Sequence, residues 1–328
     1  MPAPGKRQFL KLIRRGQALV AGAPVDPPSA SASGTSIPER LGTFNDNNGC
    51  HPVSLTASLV RKMAFHTSDY SVFEIDASNV IMETTYPTAS SGLADVYKCI
   101  LNRGASQEGV AVKCLRFPNT SKAEVDKTNY KLDRELSIWV ILDHQYVLRL
   151  YGVVYGFGPF RAFVSPWMPN GTLDSYLDRS DLTAVSRLTL FKQIVEGLKY
   201  LHDNNVIHSN LTSLNVLVAA DGSPRIAGFG ISNIVIQSSP AFSYHTGGVR
   251  WAAPELLDPP EDQPVQYATK FSDIYSLGCV MLQVLYGKLP YWWLKTATHV
   301  ISARFKHLEP IDTTFQIQAH HLNYMQRC

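Results

Sequence analysis

Hydrophobic positions follow different periods in the two halves of the chain. In the first half, short apolar runs bounded by Gly, Pro, Asn or Ser predict strands. These runs cover 80–86, 93–101, 109–115, 147–154 and 160–166. Residues 124–142 predict one helix, because apolar side chains recur there at three- and four-residue steps. Those side chains are Leu132, Leu136, Trp139 and Val140. The first half is therefore expected to be a mostly antiparallel sheet with one helix.

The second half is dominated by helical periodicity. Apolar residues recur at three- and four-residue steps through 182–201, which predicts a long amphipathic helix. Its apolar positions are Leu182, Val185, Leu188, Phe191, Val195, Leu198 and Leu201. Short strands are expected near 206–208, 216–219 and 225–227. Residues 271–286 are apolar nearly all round, as expected of a buried central helix. Together the halves predict an α+β fold of two lobes with a cleft between them.

Positive charge is concentrated near the N-terminus. Residues 1–65 contain eight Lys/Arg and three Asp/Glu, whereas residues 66–328 contain 22 and 24, so the folded part is close to neutral. This balance argues against a nucleic-acid-binding surface. A basic leader and a Pro-, Ser- and Gly-rich linker place residues 1–70 outside the folded domain. That domain is expected to span 71–307, followed by a divergent tail over 308–328.

Neither a transmembrane segment nor a disulfide framework is expected. No apolar run reaches the roughly 18 residues that a membrane-spanning helix needs. The five cysteines are scattered without metal-binding or disulfide spacing, which favours a reducing, intracellular and mainly cytoplasmic location. The Arg-rich leader leaves two interpretations open, which are an organelle-targeting helix and a plain basic tail.

Several short motifs follow one another along the chain. They are Val110-Ala111-Val112-Lys113, Glu135, His208-Ser209-Asn210-Leu211 with Asn215, Gly228-Phe229-Gly230, and Ala253-Pro254-Glu255. In this order they resemble the signature of the protein kinase superfamily. The segment 247–251 is similar to that of its tyrosine-kinase-like serine/threonine branch. The resemblance runs from about Val80 to about Phe305 and implies a bilobal protein-kinase-like fold.

The resemblance implies a role for each matching residue. Lys113 would neutralise the phosphates of ATP, Glu135 would hold that lysine, and Asn215 would bind a metal ion. The adenine would be enclosed by Val96, Ala111 and Leu217 and by the hinge backbone of Pro166 and Met168. The phosphate-binding loop would include Ala89, Ser91, Gly92 and Ala94. The positions that organise the fold would be His208, Phe229 and Asp273.

Three departures from the family pattern bear on catalysis. Asn210 replaces the aspartate that accepts the substrate proton, and an amide cannot take a proton at neutral pH. Gly228 replaces a metal-binding aspartate and offers no side-chain ligand, although Mg²⁺ requires oxygen ligands. The phosphate loop retains only Gly92 among its glycines, so nucleotide binding is expected to be weakened but not lost.

Three functions are compatible with this pattern. The loss of both carboxylates favours a pseudokinase that binds ATP weakly, without Mg²⁺, and serves in signalling or as a scaffold. The alternative is an active serine/threonine kinase that transfers the γ-phosphate of ATP to a protein, since positioning and electrostatics dominate this reaction. The third is a truncated product without function. The sequence identifies no protein partner or substrate.

The resemblance fades after Trp293. A shortened helical lobe is expected to expose part of the apolar helix 271–286 and to leave Glu255 buried without an arginine. The tail offers a substitute cover for this helix. Its candidate apolar residues are Ile311, Phe315, Ile317, Leu322 and Met325.

Overall fold

The structure has a strand-rich N-terminal lobe and a helical C-terminal lobe. It is a computed structural model that describes residues 74–90, 94–116, 121–229, 248–257, 267–312 and 314–328. Within 122–139, nothing is described of the side chains of 127, 131, 133–135 and 137. The leader and linker over 1–70 lie outside the described residues, so the predicted boundary at residue 71 stays a prediction. Among the described helices, none is both long and apolar enough to cross a membrane.

An antiparallel sheet forms the N-terminal lobe. Its described strands are β1 (Val80–Met82), β2 (Ala89–Ser90), β3 (Ala94–Arg103), β4 (Ser106–Leu115), β5 (Gly152–Val154) and β6 (Ala162–Pro166). The strand order is β1-β3-β4-β6-β5, and β2 also pairs with β3. Alternate residues point to one face and form an apolar core that includes Cys99, Val112 and Val164. The predicted sheet is confirmed, although β5 covers only the last three residues of the predicted strand 147–154.

One helix, α1 (Lys122–Trp139), packs against this sheet. Ser121 caps its first turn, because the Ser121 side chain accepts a hydrogen bond from the Glu124 amide and the Glu124 carboxylate accepts one from the Ser121 amide. Leu132, Leu136 and Trp139 are buried, so the predicted apolar face of this helix is confirmed. The helix itself ends at Trp139, three residues before the predicted end.

The described part of the C-terminal lobe contains helices and one small hairpin. The helices are α2 (Leu173–Arg179), α3 (Ala184–Asp203), α4 (Pro254–Leu257), α5 (Lys270–Tyr286), α6 (Ala297–Phe305) and α7 (Ala319–Met325), and the hairpin strands are β7 (Val216–Val218) and β8 (Pro224–Ile226). The inner face of α3 buries Phe191, Leu198 and Leu201. Val185 and Leu188, which were predicted for this face, are instead 75% and 53% exposed. Repeated three-residue steps drift by about 60° per step around a helix of 3.6 residues per turn, so these two side chains leave the buried face.

The central helix α5 is buried on nearly every side. Thr269 caps its start, and Gly287 ends it in the left-handed conformation, with φ of 64°. Phe271, 65% exposed in the first turn, is its one fully exposed apolar side chain. The expectation that an apolar face of this helix meets water is therefore wrong for the rest of its length. Glu255 was expected to be buried, but it lies exposed at α4 and carries no buried charge.

The tail over 308–328 supplies part of the cover on α5. Met325 packs against the main apolar core, and Phe315 makes an edge contact with the ring of Tyr286. Tyr286 Oη and His321 Nδ1 are 2.8 Å apart. A Cβ added to Gly278 would lie 2.9 Å from the Cβ of Cys328, so only glycine allows this approach of the chain end. Met325 and Phe315 thus provide the substitute cover proposed from the sequence, whereas Ile311, Ile317 and Leu322 are half-buried and lie outside the main core.

Because of this close approach, Gly278→Ala tests whether the tail packs against α5 at Gly278. The added methyl group should displace Cys328 and cost about 1–3 kcal/mol of unfolding free energy, because the contact has no room for it. Differential scanning calorimetry should show a melting temperature lower by a few degrees. Gly109→Ala is the control, since its Cβ would lie at an ordinary 3.8 Å from Trp167.

A shortened chain completes this test. Deleting Arg327 and Cys328 removes the atom that the new methyl group would meet. In that background Gly278→Ala should cost almost nothing. An equal cost in both backgrounds would show that the tail does not explain the need for glycine.

Candidate active site

A buried carboxylate on α5 holds the loop that follows α3. Asp273 is 1% exposed, and it accepts hydrogen bonds from the amides of His208 at 2.7 Å and Ser209 at 2.9 Å. His202 Nε2, at the end of α3, lies 2.9 Å from the same carboxylate. Ser209 adopts φ of 71°, which no strand accommodates. The predicted strand near 206–208 is therefore wrong, because these amides turn toward Asp273 and not toward a neighbouring strand.

An aromatic column joins the two lobes. His208 Nε2 lies 3.0 Å from the Ala227 carbonyl, and burial lowers the pKa of His208, so the neutral ring donates to this oxygen. Its ring meets Phe229 edge-on at 6.3 Å, and Phe229 meets Trp139 of α1 at 5.4 Å. The sequence assigned His208 and Phe229 to this role but missed Trp139 and His202. Nothing in the spacing of those two residues distinguishes them from ordinary core positions.

Asn210, Asn215 and Gly228 come together at one end of the cleft. The Nδ2 of Asn215 donates to the carbonyl of Asn210 at 2.8 Å. Since a carbonyl only accepts, this bond fixes the amide and leaves the Asn215 Oδ1 on the side of Gly228. A Cβ on Gly228 would lie 3.1 Å from that oxygen. The side chain missing at Gly228 would therefore point at the expected metal ligand.

The residues present do not fit a Mg²⁺ ion. Mg²⁺ requires near-octahedral oxygen ligands and is usually held by one or two carboxylates. Gly228 contributes no ligand, and Asn215 contributes one amide oxygen. In the described ranges, no three His, Cys, Asp or Glu residues group closely enough to hold a metal ion. No step of a reaction can therefore be assigned to a metal bound by these side chains.

Asn210, where the family resemblance places a proton acceptor, is packed closely against Gly248. The backbone amide of Asn210 donates a hydrogen bond to the Nδ1 of His208 at 3.2 Å, which ties Asn210 to the loop that Asp273 holds. Its Oδ1 lies 2.6 Å from the place that a Cβ on Gly248 would take. The carboxamide thus occupies the space that a larger residue before Val249 would need. An amide held here offers hydrogen bonds but no general base.

The hinge end of the cleft retains its polar backbone groups. The amide of Trp167 donates to the carbonyl of Gly109, which makes Val110 and Pro166 a pair without mutual hydrogen bonds. The Pro166 carbonyl is consequently outside the ladder with β4. No hydrogen bond of the Met168 amide is found within the described chain. The hinge thus presents one acceptor and one donor two residues apart.

The side chains predicted to enclose adenine lie beside the hinge. Val96 pairs directly with Lys113 across β3 and β4, and Ala111 precedes Lys113 by two residues, so all three share one face of the sheet. Leu217 approaches from the other lobe through a bridge to Thr172, just after the hinge. Val96, Ala111 and Leu217 are each half-buried. Val96 and Ala111 thus lie on one face of the sheet and Leu217 lies beside Thr172, while their joint role around adenine stays a prediction.

The predicted phosphate-binding residues are only partly described. Burial lowers the pKa of Lys113, which makes its charged form less favourable than in water. Glu135 lies within α1, but its side chain is outside the described atoms, so the predicted pair with Lys113 stays a prediction. Ala89 lies in β2 opposite Val96. Ser91 and Gly92 fall outside the described residues.

Comparison with curated proteins shows likeness to receptors. The chain is 31% identical over 226 residues to Ephrin type-A receptor 5 from Gallus gallus. It is 32% identical over 228 residues to Ephrin type-B receptor 1-A from Xenopus laevis. Each alignment covers 67% of this chain but only 21% and 22% of the respective receptors. The chain therefore matches about a fifth of the length of these relatives.

A family comparison gives the wider assignment. The protein kinase domain matches residues 91–326, which extends past Phe305, where the motif resemblance was expected to end. The match includes both lobes, the anchored loop and the tail that packs on α5. Because it covers well over half of the sequence, the chain belongs to the protein kinase superfamily.

Proposed function

We propose that this protein is a pseudokinase, which binds adenine nucleotide weakly and acts in signalling or as a scaffold without transferring phosphate. The observation that carries the proposal is the position of Gly228, where the missing side chain faces the Oδ1 of Asn215. A second observation supports it, because Asn210 holds an amide at the place of the general base. The position expected to bind the metal ion and the position expected to accept the proton therefore both lack a carboxylate.

The size of these losses favours an inactive protein. Removal of one preorganised electrostatic group costs on the order of 10²–10³ in rate. Two such losses, if independent, would cost on the order of 10⁴–10⁶. Protein kinases turn over about 1–100 times per second, so the remaining rate would be close to background.

An active serine/threonine kinase is the second candidate. The observation that favours it is the intact Asp273 anchor, which holds the Asn210 loop in one defined conformation. Positioning supplies much of the rate in phosphoryl transfer, so a well-ordered loop retains part of that contribution. The segment 247–251 is the feature that connects this alternative with serine or threonine as the acceptor.

The effect of Mg²⁺ on ATP binding tests whether the site binds nucleotide without a metal ion. ATP should raise the melting temperature of the full chain by a small amount, and Mg²⁺ should not enlarge this shift, because Gly228 offers no ligand. Thermal-shift measurements with ATP in EDTA and in excess Mg²⁺ provide the comparison. A shift that grows strongly with Mg²⁺ would contradict a metal-free site.

Phosphoryl transfer should be absent. Purified protein incubated with radiolabelled ATP and a generic substrate should incorporate no label above the Lys113→Met variant. This variant is the matched control, since it removes the cation expected to contact the phosphates. Label incorporation that disappears in Lys113→Met would establish the active-kinase alternative.

Restoring both carboxylates tests whether the scaffold is otherwise intact. The double variant Asn210→Asp with Gly228→Asp should gain Mg²⁺-dependent transfer, because the new Gly228→Asp side chain would start beside the Asn215 Oδ1. Gly228 has φ of 80°, and aspartate tolerates this region better than most residues. The control pairs Asn210→Asp with Gly228→Asn, which has the same shape without the charge. If neither double variant gains phosphoryl transfer, the defect lies in the phosphate loop.

A further inference from the structure

A small groove lies between α4 and α6, and it shares no residue with the predicted nucleotide site. It encloses about 240 Å³. Its described lining is mainly apolar, with Pro254 and Leu257 on the α4 side and Ile301 and Phe305 on the α6 side. Pockets for drug-sized molecules enclose about 300–1,000 Å³, so this groove has room for little more than one bulky residue.

Arg304 is the cation of this groove, and aromatic side chains hold its guanidinium in place. The Nη2 of Arg304 donates a hydrogen bond to the Oη of Tyr275 at 3.1 Å. The guanidinium carbon lies 5.5 Å from the ring centre of Tyr275 and 5.3 Å from that of Tyr291, which are cation–π distances. The positive charge is therefore positioned at the groove before any ligand binds.

Two nitrogens of this guanidinium lack an acceptor. Nε and Nη1 of Arg304 are buried, and neither has a hydrogen-bond partner among the described residues. Buried N–H donors without a partner cost free energy, because they lose their bonds to water. An oxygen that reached them would remove this cost, and the two oxygens of a carboxylate match the spacing of guanidinium nitrogens. The chemistry of the groove thus favours an acid that carries an apolar group.

The charges around the groove favour a carboxylate over a phosphate. Glu255 also lines the groove and is exposed, so its charge repels an entering anion. A phosphate monoester carries nearly two negative charges and is repelled more strongly than a carboxylate. His307, the other polar residue of the lining, is exposed and adds no negative charge.

The small volume requires one residue to supply both the acid and the apolar group. An internal Asp or Glu uses its side chain as the acid and has no apolar group left. The last residue of a chain carries an apolar side chain and a carboxylate together. We infer that this groove binds the C-terminal residue of a partner protein, with its bulky apolar side chain between Leu257 and Phe305 and its carboxylate at Arg304.

Binding of this kind requires a side-chain movement at the rim. Nε and Nη1 of Arg304 are covered, and the neighbouring Phe305 is 58% exposed. Changes of side-chain rotamer are common when proteins bind their partners. The site would give the proposed scaffold a way to recruit a protein, and it does not depend on nucleotide binding.

Fluorescence anisotropy of the full chain with labelled peptides tests the chemistry of the ligand. The probe is a short peptide of glycine and serine that ends in phenylalanine with a free carboxylate. The same peptide with a C-terminal amide, and one that ends in alanine, should each bind at least about tenfold more weakly, because one loses the charge and the other the apolar contact. Equal affinity of acid and amide would overturn the inference, as would a dissociation constant of the acid peptide above about 1 mM.

A fourth peptide separates a chain end from an internal acid. It has glutamate next to phenylalanine and a C-terminal amide. It should bind at least about tenfold more weakly than the free acid, because the groove has no room for two residues. Binding as tight as that of the free acid would refute the assignment to a C-terminal residue.

Two variants place the binding at this groove. Arg304→Gln should reduce the affinity of the acid peptide to that of the amide, and its melting temperature shows whether it folds, since Arg304 packs on Tyr275 and Tyr291. Glu255→Gln, at an exposed position, should tighten the acid peptide about two- to fivefold and leave the amide unchanged. Glu196→Gln on α3 makes the same charge change away from the groove and should alter neither. An effect of Glu255→Gln that is equal for both peptides, or absent, would overturn the inference even if Arg304→Gln does not fold.

Discussion

The buried carboxylate of Asp273 is the interaction on which the rest of the site depends. A charge at this depth is stable only when hydrogen bonds replace its lost hydration, and the amides of His208 and Ser209 provide them. In return, the loop is fixed in a conformation that the chain would not adopt alone, since Ser209 has positive φ. Every side chain that the loop presents, Asn210 first among them, is placed by this bond set.

The same anchor connects the loop to the packing between the lobes. The ring of His208 contacts Phe229, and Phe229 packs on Trp139 of α1. Ring contacts therefore connect the loop in one lobe to the helix in the other. None of these contacts involves the groups that handle metal or proton. The packing between the lobes therefore does not depend on a carboxylate at Asn210 or Gly228.

The two ends of the cleft differ in the kind of group that they present. Its hinge end relies on backbone groups, which substitution of side chains leaves in place. The family resemblance implies carboxylates and a bridging cation at the other end, where this chain has Asn210, Asn215 and Gly228. The proposed loss of phosphoryl transfer follows from this difference between backbone and side-chain contributions.

The sequence by itself determined the two-lobed α+β fold and the buried character of α5, because periodicity and ordered motifs are local properties. The tertiary structure alone decided three other features. Residues 206–208 form a loop because the amides of His208 and Ser209 bond to Asp273, far away in sequence. Val185 is exposed because a helix face is buried only where another element covers it. The close contact of Cys328 with Gly278 joins positions whose proximity no local pattern encodes, although the sequence did predict that the tail covers α5.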